Sequence, residues 1–392
     1  MLAEAQTIKE QMVQWRRTIH QWPEMGFDLQ RTAALVAETL AGLGVELRTG
    51  VGKSGVVAYL GDGGGPVIGV RADMDALPIY EENAVPYASQ VAGKMHACGH
   101  DSHTAMLLGV AALLSQRSFP GQVRLLFQPS EEGGYDHGVS GAPRMIEDGA
   151  LDGVDAVIAL HVHGTFETGT IMVDEGVVGA AVDTFRADIR GRGGHGAYPH
   201  ETIDPIWLAS QVLNALYAIP SRRITPLQPS VVTVGVVRGG TVDNVIPSAV
   251  RLEGTLRSFD GGVREQLVQD VERAFQIVRA FGGDFDLRIE RGYPPLVNDP
   301  AAAGWLRSVA GELLGEASVL SGNVSMGAED FAFMAQRAPG AMFGLGVKAP
   351  GAEPRYLHTP TFDLDEDALP IGAAILAETA LRFVHGQLRQ PQ

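Results

Sequence analysis

Apolar positions along this chain follow two periods, and the way they alternate changes about halfway along. In "LQRTAALVAETLAGLG" they recur at helical spacing and stop at glycine, whereas "SGVVAYLG" and "PVIGVRADMDAL" are short β-branched runs that predict strands. A helix over "SHTAMLLGVAALLSQ", a strand over "QVRLLFQP" and a strand over "VDAVIALHV" continue the series. Such alternation predicts an α/β layered domain, in which ligands lie beyond the strand ends.

From about residue 181 the texture changes. Strand "VDTFRADIRG", helix "DPIWLASQVLNALYAI", strands "SVVTVGVVRGG" and "AVRLEGTLRSF", helix "VREQLVQDVERAFQIVRAF" and strand "FDLRIERGY" follow one another. Two helices against about four largely amphipathic strands make a self-contained α+β unit of roughly 110 residues, expected as an insertion. The turn "GYPPLVNDP" marks its exit, and the helix "AAAGWLRSVAGELLG" resumes the first domain. The expected division is therefore a discontinuous domain over 1–180 and 293–392 and a satellite over 181–292. No internal repeat is present.

Composition narrows the function classes. A chain of 392 residues is too long for one ordinary core. Its 30 Lys and Arg against 46 Asp and Glu give a formal charge of -16, which argues against nucleic acid or an anionic membrane as partner. The opening "MLAEAQTIKEQMVQWRRTIHQWPE" has no continuous apolar block, so neither a signal peptide nor a membrane anchor is expected. One cysteine excludes an intrachain disulfide and is consistent with a reducing compartment, so the expected location is cytoplasmic.

That cysteine sits in "KMHACGHDSHTAM" beside three histidines. An extended or loop segment would project Cys98 and His100 to one side, where both could reach one metal. Taken alone, the segment equally fits a nucleophile with a histidine base or a buried structural thiol. Three further segments supply compatible donors. "FQPSEEGG" carries Glu131 and Glu132 in a loop after an apolar strand, "AVIALHVHG" carries His161 and His163 at a strand end, and "RYLHTPTFD" carries His358. A single catalytic zinc would need fewer residues than these. Two ions roughly 3.5 Å apart, sharing a water and a bridging ligand, would use them all. A cysteine nucleophile would leave the Glu pair and His358 without a task, while a non-enzymatic scaffold would need none of the set. His96 and His103 are read as structural.

In order along the chain, "RADMDALP", "MHACGHDSHTAM", "QPSEEGG", "MIEDGALDGVD", "GRGGHGAYPH", "DNVIPSAVRLEGTLRS", "GAEDFAFM" and "LHTPTFD" resemble the aminoacylase and carboxypeptidase-like metallohydrolases. The subgroup of hippurate hydrolases, indole-acetyl-amino-acid hydrolases and N-acyl-amino-acid amidohydrolases is the most similar. The resemblance spans nearly the whole chain. It implies a catalytic α/β domain with a mixed central sheet built from both chain ends, and a satellite domain that dimerises or assembles further. It also implies two divalent ions per subunit (Zn, Mn, Co or Ni), with Cys98 bridging and His100, Glu132, His161 and His358 completing the site.

By the same resemblance Glu131 is the general base, and His195 is the oxyanion donor reaching a partner subunit's active site. Asn244 and Arg257 hold the substrate carboxylate, and Asp75 orients a ligand histidine. The implied reaction is hydrolysis of an N-acyl amino acid to a carboxylic acid and a free amino acid, with a dipeptidase or carboxypeptidase on the same ions as the alternative. "EEGGYDHGVSGAP" and "HVHGTFETG" depart from the family pattern, making Tyr135, His137 and His163 candidates for the acyl pocket.

Overall fold

The computed structural model describes residues 1–133, 139–322 and 324–388; Tyr135 and His137 lie outside them. The chain forms two compact units, one of Met1–Val178, Val297–Val324 and Asp330–Gln392, the other of Gly179–Leu296 and Ser325–Glu329.

Among the described residues the first unit holds an eight-stranded mixed sheet. Its spatial order is Glu46–Val51, Gly55–Leu60, Gln122–Gln128, Val67–Asp73, Ala156–Glu167, Gly340–Lys348, Ile171–Met172 and Val319–Leu320. The central strands Gln122–Gln128, Val67–Asp73, Ala156–Glu167 and Gly340–Lys348 run parallel, and the first two strands are antiparallel. Val67–Asp73 and Gly340–Lys348 are buried almost throughout, which is why their sequences read as continuous apolar runs rather than alternation.

Against this sheet lies the helix His100–Leu114, of which all but Ala112 is buried, packed on Lys9–Gln21 and Leu369–Val384. A helix covered on every side needs an apolar surface all round, and Met106, Leu107, Leu108 and Val110 supply it. Its first residue, His100, stands beyond the carboxyl end of Val67–Asp73, so the helix start and the strand ends converge.

The second unit is a four-stranded antiparallel sheet ordered Ser230–Gly239, Ala249–Ser258, Ala181–Arg190 and Asp284–Arg291. Ala181–Arg190 alternates buried and open positions, as a strand covered on one face should. Helices Pro205–Arg222 and Gly261–Ala280 supply that cover, with Leu208, Val212, Leu267, Val271 and Phe275 packed in one core with Phe185, Ile189 and Leu252. Asp204 and Asp260 cap the two helices through backbone N–H groups. The α/β domain and the α+β satellite are thus as the pattern predicts, and the mixed sheet is as the family resemblance implies.

Candidate metal centre

Four segments of the first unit deliver side chains to one place. Cys98 Sγ lies 3.4 Å from His161 Nε2 and 3.3 Å from His358 Nε2. His358 Nε2 is also 3.2 Å from Glu132 Oε1. Donor atoms of Cys98, His100 and His161 form one cluster within 4.8 Å of each other, and those of Cys98, Glu132 and His358 form a second. Cys98 belongs to both. A third group joins Glu131 to His100 and Glu132.

Local backbone brings these residues together in a way that differs from the extended reading of Cys98 and His100. Gly99 adopts φ 85° and His100 is already helical, so a left-handed turn, not a pleat, converges the two side chains. A Cβ on Gly99 would stand 2.4 Å from Val162 Cγ2, so glycine is required on steric grounds as well. His358 (φ 60°) and Ser130 (φ 50°), which precedes Glu131, are also left-handed. Non-glycine residues hold that conformation only where their surroundings impose it, and here they sit at the site. A bond from His358 N to Ala97 O at 2.8 Å ties the late loop to the cysteine turn.

Hydrogen bonds set the ring tautomers. His100 Nδ1 donates to Asp75 O at 2.8 Å, and His161 Nδ1 donates to Val162 O at 2.8 Å. Both rings therefore offer Nε2 to the cluster, as metal-ligating histidines do. His100 Nε2 is buried without a hydrogen-bond partner, an atom whose lone pair a cation would satisfy. The Asp75 carboxylate accepts the backbone N–H groups of Glu131 and Glu132 at 2.9 and 3.1 Å. It thus fixes the Glu pair as well as contacting His100, whose Nδ1 is 3.4 Å from Oδ1.

The electrostatics call for positive charge. Burial, then Glu132 and Glu131, push the Cys98 thiol well above its ordinary value. Burial would lower His100, yet Asp73, Asp75 and Glu132 raise it to about 10. Burial holds His161 neutral. A thiol buried among carboxylates is a poor nucleophile, because burial and their charge oppose the thiolate. The same thiol facing divalent ions is a ligand, since the ions reverse the local field. Sulfur, imidazole and carboxylate donors together fit borderline divalent ions.

Asp73 and His103 are parts the sequence reading did not single out for the site. Asp73 accepts from Arg71 Nη1 at 2.7 Å and from His103 Nδ1 at 2.6 Å, while His103 Nε2 accepts the Val162 N–H at 3.0 Å. This buried chain fixes the backbone beside His161. The i, i+2 pair of Asp73 and Asp75 at the end of an apolar strand was the signal available. His163 packs with its ring centroid 5.8 Å from that of His161, and burial lowers it to about 4.

The remaining candidates belong to the second unit. His195 is exposed and pairs with Val245 in a two-stranded ribbon, beside Asn244, whose carbonyl accepts from Gly196 N. The Ala197 N–H donates to His195 Nδ1 at 3.1 Å, so Nε2 carries the proton and is a donor. Arg257 lies in the four-stranded sheet, near the far end of the Ala249–Ser258 strand from this ribbon. The strand from Ala249 to Arg257 alone spans about 26 Å at roughly 3.3 Å per residue. His195 and Asn244 are therefore neighbours, whereas Arg257 and Asn244 of one chain do not meet on one carboxylate. Arg257 donates to Met326 O at 2.9 Å and is lowered by burial alone, with no carboxylate opposing it.

Residues 69–382 match the sequence profile described as peptidase family M20/M25/M40. The chain is 42% identical over 385 residues to the N-acetyl-L-cysteine deacetylase of Bacillus subtilis (strain 168), covering 96% of this chain and 89% of that protein. It is 39% identical over 383 residues to thermostable carboxypeptidase 1 of Saccharolobus solfataricus, covering 96% of each. Among solved structures, a dinuclear metal-binding peptidase of the M20 family from Bacillus subtilis superposes with a TM-score of 0.83 at 34% identity, covering 97% of this chain and 99% of that one.

Proposed function

The chain belongs to peptidase family M20/M25/M40, as a metal-dependent hydrolase of amide or peptide bonds with a site for two divalent ions, and on that premise we propose that it cleaves N-acyl amino acids. The products are a carboxylic acid and a free amino acid. The observation that carries the two-ion assignment is the sharing of Cys98 between two donor sets. We assign His100 and His161 to one ion, Glu132 and His358 to the other, and Cys98 to both.

When bound, the ions would polarise the amide carbonyl and lower the pKa of the attacking water. Glu131, buried beside Glu132 and held by the Asp75 carboxylate through its backbone N–H, takes a proton from that water as it attacks. The same carboxyl group returns the proton to the nitrogen as the C–N bond breaks. Asp75 and His103 hold the surrounding backbone in place throughout.

The second unit supplies the groups for the rest of the substrate. His195, with its proton on Nε2, is the donor to the developing oxyanion of a partner subunit's site, together with Asn244 beside it. Arg257 binds the amino acid's carboxylate through its fork, for which its lack of an acidic partner leaves it available. The separation along the strand supports drawing Arg257 and the His195–Asn244 pair from different chains.

Assembly is through the edge strand Ser230–Gly239. Its sequence "SVVTVGVVRG" carries a single charge, whereas the opposite edge, "DFDLRIER", is protected by alternating charges. Ile206, Trp207 and Tyr217 are exposed on the helix Pro205–Arg222, and Val237 on the edge strand itself. Among the described residues no helix is long and apolar enough to cross a membrane, which accords with a small-molecule hydrolase of the cytoplasm.

The test combines metal analysis with a substrate panel. N-acetyl, N-benzoyl and indole-acetyl amino acids are expected to turn over faster than unblocked dipeptides, with activity lost to chelator and recovered with divalent ions. Preference for free dipeptides would move the assignment to a dipeptidase or carboxypeptidase. Activity that survives chelation but not thiol alkylation would remove the ions from the reaction.

A further inference from the structure

The turn bearing Cys98 and His100 and the segment after His358 meet on one buried guanidinium, far from both in sequence. Arg16, on the helix Lys9–Gln21, has no exposed surface. Its Nε donates to Asp101 Oδ2 at 2.9 Å, its Nη2 to Asp363 Oδ1 at 2.7 Å and its Nη1 to Glu366 Oε1 at 3.0 Å. Asp101 is the residue after His100, and Asp363 lies in the loop that leaves His358. His20, one turn further along the helix, bonds the same Asp101 oxygen at 2.8 Å and Glu81 at 3.1 Å. Glu81 in turn accepts the Ser89 N–H at 2.6 Å, and Asn83 bonds both Glu81 and the carbonyl of Phe362.

Stability alone is a poor account of this cluster. Removing several charges from water is costly, and well-packed apolar residues often serve as well or better. Asp101 Oδ1 and both ring nitrogens of His96 are also buried here without a hydrogen-bond partner, which adds to that cost. What such a cluster supplies is fixed direction. The bond from His358 N to Ala97 O holds the two ligand segments at one point, about which they could still rotate. The planar fork of Arg16 ties the same segments at a second point, at Asp101 and Asp363, which follow His100 and His358 in the chain.

We propose that Arg16 is a positioning residue for the metal centre: by holding Asp101 against Asp363 and Glu366, it sets the approach of His358 to Cys98 that lets one thiolate serve two ions. This rests on the two-ion reading above. Arg16 touches neither ion nor substrate, and acts through the orientation of His100 and His358.

The experiment measures ion binding, not turnover. Metal-free protein is titrated with Zn(II) against a chromophoric chelator, and with Co(II) while the thiolate-to-cobalt absorption is followed. The variants are Arg16→Lys, which keeps charge and loses the fork, and Asp363→Asn, which removes the charge of one of its partners. Arg17→Gln is the control, because Arg17 bonds Glu366 from the exposed side. Affinity for at least one of the two ions is expected to fall about 10- to 100-fold in both variants, with the cobalt–thiolate band altered. Arg17→Gln is expected to bind as the parent does. If Arg16→Lys does not fold, Asp363→Asn decides the matter. Variants that lose melting temperature but keep the parent's affinities and cobalt spectrum would overturn the positioning role. A parent protein that binds no divalent ion would instead remove the two-ion reading, and the proposal with it.

Discussion

We assign separate tasks to the chain neighbours Glu131 and Glu132, and the backbone of the turn that carries them is fixed from two sides. Asp75 pins both backbone N–H groups, while Ser130 at φ 50° redirects the chain just before them. Glu132 faces His358, whose Nε2 is 3.2 Å away, and His358 and His100 hold its carboxyl below the ordinary value against the effect of burial. Replacing Glu131 by Gln keeps the shape and removes the proposed base. Glu131→Gln is therefore expected to bind two ions with parent stoichiometry while kcat falls by about 10²–10⁴; normal turnover in a fully loaded variant would remove Glu131 from that role. His20 gives a second prediction at this scale. Burial opposes its charge, but Asp101 and Glu81 raise it to about 9, above the ordinary 6.5. Its stabilising contribution is complete below about pH 6.5 and is lost as pH rises through about 9. A shift of this size corresponds to about 3 kcal/mol. Melting temperatures from pH 6.5 to 9.5 should thus fall more steeply in the parent than in His20→Gln, and parallel curves would contradict the assignment.

At the scale of elements, the same features that made the fold legible concealed part of the site. Continuous apolar runs such as "QVRLLFQ" marked the central parallel strands, and alternation in "VDTFRADIR" marked the half-covered sheet. His161 stood out because a polar group after an apolar run is conspicuous, although the strand continues past it to Glu167 and does not end there. The turn at Gly99 did not, since "ACGHDS" reads as loop until the partner that excludes a side chain, Val162, is known. Arg16, Asp73 and His103 were hidden for a related reason. A buried charge is explained by its partners, and Arg16 finds its own at positions 101, 363 and 366. The turn makes a direct prediction. Gly99→Ala would force a left-handed conformation on a residue with a side chain and drive its Cβ into Val162. The expected loss is roughly 2–4 kcal/mol, combining the backbone and overpacking costs. Because Gly99 also starts the helix that carries His100, zinc affinity should fall along with the melting temperature; a destabilised variant with parent affinity would show that the helix start tolerates displacement.

At the scale of the whole molecule, the two ends of the Ala249–Ser258 strand pose a question of assembly. His195 and Asn244 lie toward the Ala249 end and Arg257 near the other, and on the roles proposed for them the three would be drawn to one substrate from two chains. The proposed dimer, in which each satellite would serve its partner's ions, accounts for the separation, and subunit mixing tests it. Glu131→Gln and His195→Ala are each expected to be nearly inactive, because every homodimeric site lacks either its base or its donor. In a mixed dimer, one site combines an intact Glu131 with an intact His195 from the other chain, while the second site lacks both. If the chains exchange statistically, half of the dimers are mixed and half of their sites are intact, so about a quarter of the parent activity should return. The recovery should depend on exchange, rising when the variants are co-expressed or dissociated and reassembled together, and staying absent when preformed dimers are simply combined. If His195 acted within its own chain, no mixed dimer would contain a complete site and the mixture would stay as inactive as its components.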